Sequence, residues 1–186
     1  EKGQQVLKDL DNFAKKTPFS IKGVQDNAKL LLAVGVEADN LIPTMKALGD
    51  VSAGLSVPLE RIALNYGQVK SQAKLTGREL RDFAIAGVPL TAQLSKQLGV
   101  STTAIQSMVS KGQIGFPVVE KAFKDMSSEG GRFANLMDKQ NKSFLGQVNE
   151  MSESVQILAR TIGQTLIPIV TPIVNLLGKV VAVAQR

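Results

Sequence analysis

The spacing of apolar residues along the chain is typical of helices. Stretches over residues 2–16, 20–34 and 37–48 each carry apolar positions three and four residues apart, which places them on one side of a helix. In the second stretch this side consists of Val24, Ala28, Leu31 and Leu32. No stretch alternates strictly between apolar and polar residues, as a half-buried strand would. The pattern therefore predicts an all-α fold of several short helices around a shared core.

Glycine and proline residues predict where these helices begin and end. Pro43 is expected either to start a new helix or to kink the third one, which Gly49 should end. Pro58 suits the first turn of a fourth helix, which ends near Gly67 or continues to Ala73. The sequence thus predicts short helices joined by tight turns.

A capping-box match predicts the start of the fifth helix. Thr76 is followed three residues later by Glu79, and the two side chains can satisfy each other's backbone donors. This helix is expected to end at Gly87, and Pro89 is expected to start the next one. A helix over residues 116–126 completes the predicted multi-helix globular domain.

Residues 90–111 have the pattern of a helix-turn-helix unit. Leu94 and Leu98 fall on one face of a short helix, and Gly99 supplies a sharp turn. Ser101 can then cap a second helix. The apolar residues of that helix that point back toward the first are Ile105, Met108 and Val109. Such a unit occurs in DNA-binding regulators and also as ordinary packing of two helices.

The polar residues of this unit favour packing over DNA recognition. The exposed positions of its second helix are Thr102, Thr103, Gln106 and Ser107. A DNA-reading helix usually presents Arg, Lys, Asn or Gln to base edges beside phosphate-binding cations, and the only cations here are Lys96 and Lys111. The net charge of +6 is spread along the chain. A helix-turn-helix regulator that uses residues 90–111 therefore stays the alternative function.

The pattern changes after a Ser- and Gly-rich break at residues 127–131. A heptad seam follows, with spacings of 4, 3, 4, 3 and 4, through Phe144, Val148, Met151, Val155, Leu158 and Ile162. Pro168 and Pro172 interrupt its continuation. The sequence predicts a helical domain over residues 1–132. Residues 133–186 are predicted to form a long, amphipathic and apolar segment. This segment is either a Pro-interrupted helix or a helical rod, and it can also self-associate.

Residues 162–184 are apolar over a length close to that of a membrane-spanning helix. They contain a single charge, Lys179. Two prolines and four polar residues lower their apolar character, the polar ones being Gln164, Thr165, Thr171 and Asn175. A buried helix or an oligomer interface is therefore favoured, and contact with a membrane is the alternative.

The composition excludes several kinds of chemistry. Hydrophobic residues make up 44% of the 186 residues, enough for a folded core, and the 4% of aromatic residues predicts that this core is aliphatic. The chain has no Cys and no His, which removes zinc sites, thiol catalysis, disulfides and His-based acid–base chemistry. A Walker-type loop and a Gly-x-Ser-x-Gly motif are also absent. The sequence therefore predicts a protein that is not an enzyme, with no catalytic, metal-binding or cofactor-binding residues and no cofactor.

A series of short motifs occurs in a fixed order between residues 17 and 147. The series is Thr17-Pro18-Phe19, Leu48-Gly49-Asp50, Gly67-Gln68, Leu75-x-Gly77-x-x-Leu80-Arg81, Ala86-Gly87-Val88-Pro89, Lys111-Gly112-Gln113-Ile114-x-Phe116-x-x-Val119, Gly130-Gly131-x-Phe133 and Ser143-Phe144-x-Gly146-Gln147. In this series the chain resembles the N-terminal region of tail tape measure proteins of long-tailed bacteriophages and prophages. The resemblance covers about residues 17–170.

The resemblance implies a structural and assembly role in the virion. Proteins of this family are long helical chains in the lumen of the phage tail, and their length sets the tail's length. The implied partners are the tail tube, the tip or baseplate and the tail assembly chaperones, and the implied locations are the tail lumen and, during assembly, the host cytoplasm. The chain begins without Met and ends within an apolar pattern. We therefore expect it to be part of a longer protein.

Overall fold

The structure, a computed structural model, describes residues 2–143 and 147 and is all-helical. Its helices are α1 (Lys2–Lys15), α2 (Ile21–Ala33), α3 (Ala38–Leu55), α4 (Leu59–Ser71), α5 (Gly77–Ile85), α6 (Leu90–Leu98), α7 (Thr102–Ser110) and α8 (Phe116–Ser127). A further helical stretch, α9, covers residues 136–143. No strand occurs in these residues, which confirms the all-α prediction. Most of the long segment predicted over residues 133–186 lies outside the described residues.

Side-chain caps fix the starts of helices where the sequence predicts them. The Ser20 hydroxyl accepts a hydrogen bond from the Gly23 N–H at 3.1 Å, in the first turn of α2. The Ser101 hydroxyl accepts one from the Ala104 N–H at 3.1 Å, in the first turn of α7. These boundaries are therefore set by residues within one turn of each other.

One residue of the predicted apolar side of α2 lies on the wrong side. Val24, Ala28 and Leu31 are buried, whereas Leu32 is 39% exposed. Each residue is turned by about 100° from the one before it. Leu32 therefore points away from the direction in which Leu31 enters the core, and only the packing decides which of the two is buried.

The prediction that Gly49 ends the third helix is wrong. α3 passes through both Pro43 and Gly49 and ends at Leu55, and Ser56 follows in the left-handed conformation at φ 54°. Gly49 makes room for neighbours instead. A Cβ atom placed on it would lie 2.6 Å from Sδ of Met137 and 3.2 Å from Cε2 of Phe19. Glycine often ends a helix, but at this position it allows a close contact between α3 and its neighbours.

Gly67 has the same use in α4. The helix passes through this glycine and ends at Ser71, so the longer of the two predicted helices is the one observed. A Cβ atom on Gly67 would lie 3.1 Å from Cδ2 of Leu30 and 3.6 Å from both methyl groups of Val34. α4 and α2 can therefore approach each other closely along this face.

α3 lies at the centre of the helix packing. It packs against α1, α2, α4 and α8, while α5 and α6 connect α4 and α8 to α7. The buried apolar residues of all eight helices form one continuous cluster. Because each helix is short and marginal by itself, this shared cluster is what holds the fold together.

The centre of the core is aromatic, so the prediction of an aliphatic core is incomplete. The Tyr66 ring meets the Phe116 ring edge to face at 5.2 Å and the Phe123 ring at 5.5 Å between centroids. Phe83 meets Phe123 at 5.3 Å. Four of the eight aromatic residues of the chain, one Tyr and seven Phe, thus come together at one point. A low aromatic content limits the number of such contacts, but the few aromatic residues can still cluster at one place in the core.

The core extends past residue 132, where the sequence predicts the first domain to end. Phe133 and Met137 are each 2% exposed and belong to the same apolar cluster. The compact unit that contains the eight helices ends at Lys142. Residues 133–142 therefore contribute to the folded unit by closing its core over α3.

Truncation of Phe123 is expected to test the role of the aromatic centre. Phe123→Ala should lower the free energy of unfolding by about 3–5 kcal/mol, because it leaves a cavity between Tyr66 and Phe83. Ile85→Ala is the control, since Ile85 is 66% exposed and its removal should change stability by less than about 0.5 kcal/mol. Urea unfolding of the full chain, followed by far-ultraviolet circular dichroism, measures both. Equal losses in the two variants would contradict the proposed centre.

Candidate functional site

The predicted turn between α6 and α7 is confirmed. Gly99 follows α6 in the left-handed conformation at φ 68°, which glycine adopts without the strain that a Cβ atom would cause. The Ser95 hydroxyl donates to the Val100 carbonyl oxygen, and the Val100 N–H donates to the Ser95 carbonyl oxygen at 3.2 Å. With the Ser101 cap, these bonds fix the angle between the two helices locally.

The buried face of this helix pair belongs to the common core. Leu94 and Ile105 are completely buried and Val109 is nearly so, as the sequence predicts. Leu98, predicted on the same face as Leu94, is 36% exposed and lies at its edge. α6 packs against α5 and α8 as well as α7. The helix pair is therefore part of a larger folded unit rather than a separate DNA-binding domain.

The exposed face of α7 carries few groups that recognise DNA. Thr102, Thr103, Gln106 and Ser107 are all exposed, and Lys96 and Lys111 are exposed at the ends of the unit. Short hydroxyl side chains lack the paired donors with which Arg reads guanine, and two lysines give few phosphate contacts. This face is a polar surface with a low charge density, which argues against DNA binding.

The residues that follow α7 form backbone hydrogen bonds with the residues that follow α4. The Leu75 N–H donates to the Ile114 carbonyl oxygen at 2.9 Å, and the Phe116 N–H donates to the Ala73 carbonyl oxygen at 3.0 Å. An isolated antiparallel bridge between Lys74 and Gly115 results. Two of the sequence motifs, some 40 residues apart, thus pair through their backbones.

Phe116 connects these backbone hydrogen bonds to the apolar core. Its ring contacts Tyr66, and the Lys70 ammonium group lies 4.5 Å from the ring centroid. Ile114 is 1% exposed beside it. Ile114 and Phe116 therefore follow the Gly112 turn into the buried cluster, and the ring contacts of Phe116 with Tyr66 and Lys70 lie on α4.

The predicted capping box at α5 forms in part, because the Thr76 N–H reaches the Glu79 carboxylate but the Thr76 hydroxyl accepts from the Arg78 N–H and not from that of Glu79. The Thr76 hydroxyl accepts from the Arg78 N–H at 3.3 Å and donates to a carboxylate oxygen of Glu79. The Gln72 amide donates to the other oxygen at 3.3 Å. Glu79 is only 1% exposed, although the sequence alone gives it no more than a surface position in the first turn of a helix.

Two opposing effects set the pKa of Glu79. Burial raises the pKa, but hydrogen bonds from the Thr76 hydroxyl, backbone N–H groups and the Gln72 amide outweigh it, so the pKa lies below its ordinary value of 4.5. The folded protein therefore favours the ionised form. The stabilisation is present above pH 4.5 and is lost as the pH falls through the folded-state pKa.

A second closure joins α3 to residues 131–137. Asp50 is fully buried, and its carboxylate accepts from the Met137 N–H at 3.0 Å and from the Lys46 ammonium group at 3.0 Å. The ammonium group also donates to Oδ1 of Asn135 at 3.3 Å. The motif Leu48-Gly49-Asp50 thus meets the residues that follow Gly130-Gly131. The sequence contains both motifs but does not reveal their contact, because Met137 lies 87 positions after Asp50.

The described part of the chain offers little for catalysis. Among the described residues there is no group of three or more acidic side chains that could hold a metal ion. Within the same residues no helix is long and apolar enough to cross a membrane. Residues 162–184, for which the sequence leaves membrane contact open, lie outside this part. The described motif residues act as packing and capping groups.

Replacement of Glu79 is expected to change how stability depends on pH. Glu79→Gln should lower the free energy of unfolding by about 1–2 kcal/mol at pH 7, because hydrogen bonds to a charged acceptor are lost. The difference from the unaltered protein should shrink as the pH falls below 4.5, where the carboxylate of the unfolded chain is already protonated. Urea unfolding of both proteins at intervals of about one pH unit between pH 3 and pH 7 measures this difference in the free energy of unfolding.

The exposed Glu129 supplies the control for this experiment. Glu129→Gln should change stability by less than about 0.5 kcal/mol at every pH. A pH-independent difference for Glu79→Gln would show that the pattern of hydrogen-bond donors and acceptors, rather than the charge, matters at this cap.

Comparison with known families identifies the chain. A family model described as "Tape measure protein" matches residues 1–164, which include the whole described unit and the heptad seam. Nothing among curated proteins or solved structures matches the chain. Proteins of the matching family are structural components of phage tails. Because the match extends over well more than half of the sequence, the chain belongs to the tape measure protein family.

Proposed function

We propose that this chain is the N-terminal part of a protein that sets the length of a phage tail and scaffolds the assembly of the tail tube. The observation that carries the proposal is the family match, which includes the helical unit together with the heptad seam. The protein acts without catalysis, since its role requires only a defined shape, a defined length and binding surfaces. The compact unit of α1–α9 serves as a folded head, and the seam begins the rod.

The physical basis of length control is the constant rise of a helix. An α-helix advances about 1.5 Å per residue, so a helical rod converts the number of residues directly into distance. The 4-3 spacing over residues 144–162 is typical of helices that pack side by side in such rods. We propose that residues 133–186 lead into the rod and contribute to self-association.

The proposed partners follow from this role. They are the tail tube protein, the tip or baseplate proteins and the tail assembly chaperones, and the proposed location is the tail lumen after assembly in the host cytoplasm. The proposal also includes contact of residues 162–184 with a membrane as the alternative to a buried helix or an oligomer interface. Light scattering of the full chain tests self-association, and flotation with phospholipid vesicles tests membrane contact.

Insertion of helical residues is expected to lengthen the tail. Four extra heptads, about 28 residues, inserted within residues 144–162 in the encoding phage should lengthen the tail by about 42 Å. A Gly- and Ser-rich insertion of the same length after Gly99 is the control, because flexible residues in this exposed turn form a loop and leave the tail length unchanged. Electron microscopy of negatively stained tails measures both. Tails of unchanged length after the insertion in the seam would contradict the proposal.

The alternative function, DNA binding through residues 90–111, makes an opposite prediction. With so few cations on this surface, we expect no gel shift of a mixed-sequence duplex at low salt and micromolar protein. Phosphate contacts release counterions, so true DNA binding would weaken steeply with added salt. A salt-sensitive shift that disappears in the double variant Lys96→Ala, Lys111→Ala would favour the regulator instead.

A further inference from the structure

Two glycines of α3 allow residues 131–138 to approach its backbone closely. A Cβ atom on Gly54 would lie 2.5 Å from Cδ1 of Phe133 and 2.6 Å from Cδ1 of Leu136. A Cβ atom on Gly49 would meet Sδ of Met137 at 2.6 Å. The two glycines point about 140° apart around the helix, on either side of Asp50, and leave two gaps that the three apolar side chains fill. We call these two gaps the glycine platform. We call residues 131–138 the latch segment.

A buried charge holds the end of this segment. The Asp50 carboxylate has no exposure and binds the Met137 N–H and the Lys46 ammonium group, each at 3.0 Å. An ionised carboxylate without such partners would be strongly unfavourable in the interior. The Lys46 side chain is 43% exposed and also reaches Asn135. The segment therefore supplies part of the compensation that the buried carboxylate needs.

The start of the segment is held separately. The Phe133 N–H donates to the Met126 carbonyl oxygen at 2.8 Å, and the Gly131 N–H donates to the Ser128 carbonyl oxygen at 2.8 Å. A Cβ atom on Gly131 would collide with the carbonyl oxygen atoms of Asp125 and Met126. The latch segment is thus fixed at one end to the end of α8 and at the other end to α3.

An open groove borders the latch segment. It has a volume of about 600 Å³ and lies between α1, α3 and the first turn of α9, where Met137 and Asp138 line it. Water therefore already reaches one side of the segment. Its hydrogen bonds and packing given above involve α3 and the end of α8, whereas the aromatic centre is formed by Tyr66 of α4, Phe83 of α5, and Phe116 and Phe123 of α8.

We propose that Asp50 is the positioning residue of a releasable latch that fixes where the chain leaves the compact unit. The latch segment detaches from α3 as one cooperative unit while the core of α2–α8 stays folded, since its loss uncovers the glycine platform and not the aromatic centre. The junction therefore has two states, held and released. The latch itself is independent of the proposed function, although a use in tail assembly would rest on that function.

Hydrogen exchange of the full chain, followed by mass spectrometry, tests this latch. Asp50→Asn keeps the shape of the side chain but removes its charge. We expect amides of residues 131–142 to exchange about tenfold faster, the factor that corresponds to about 1.4 kcal/mol. Peptides from α4 and from residues 116–123 of α8 should change by less than about twofold. The matched control is Asp26→Asn, which removes the carboxylate of the exposed i,i+4 pair of Lys22 and Asp26 on α2, away from the latch segment.

A second variant tests the platform without changing a charge. Gly54→Ala should also speed the exchange of residues 131–142, because its Cβ atom displaces Phe133 and Leu136. Gly77→Ala is its control, since no atom lies within 4 Å of a Cβ atom at that position. Faster exchange throughout the unit, or failure of both Asp50→Asn and Gly54→Ala to fold, would overturn the proposal by showing that the contact supports the whole core. Unchanged exchange of residues 131–142 in both would overturn it as well.

Discussion

Close approach to the backbone of α3 is the constraint on which this structure depends. Short helices are marginal by themselves, so each must bury its apolar side against neighbours. α3 serves four other helices and the latch segment at once. The latch segment can approach α3 closely because Gly49 and Gly54 leave gaps on either side of Asp50, which Met137 and Phe133 fill. Side chains at these two positions would separate the layers that enclose the core.

The motifs that connect the chain to its family lie where distant parts of the fold meet. Ala73 and Leu75 pair with Phe116 and Ile114 through backbone hydrogen bonds. Leu48-Gly49-Asp50 receives the residues that follow Gly130-Gly131. These are packing and hydrogen-bonding devices that need small residues or a single buried carboxylate. Their chemistry agrees with a structural family, because each motif fixes geometry.

Polar groups inside the unit have the same purpose. Glu79 is buried at the start of α5 with its acceptor oxygens satisfied by Thr76, Gln72 and the backbone. Asp50 is buried with partners from its own helix and from the latch segment. Such groups contribute less to net stability than apolar burial does, but they permit few alternative arrangements.

The sequence by itself determined the features that depend on neighbouring residues. The all-α class, the Ser101 cap, the pairing of Thr76 with Glu79 and the turn at Gly99 all arise within one or two helical turns, so local spacing predicts them. Only the tertiary structure decided the rest. Whether Gly49 ends α3 or forms a platform depends on Met137, which lies 88 positions later in the sequence, and the burial of Leu31 rather than Leu32 depends on packing between helices. The partners of Asp50 likewise come together only when the core closes, because residue spacing carries no information about contacts between distant helices.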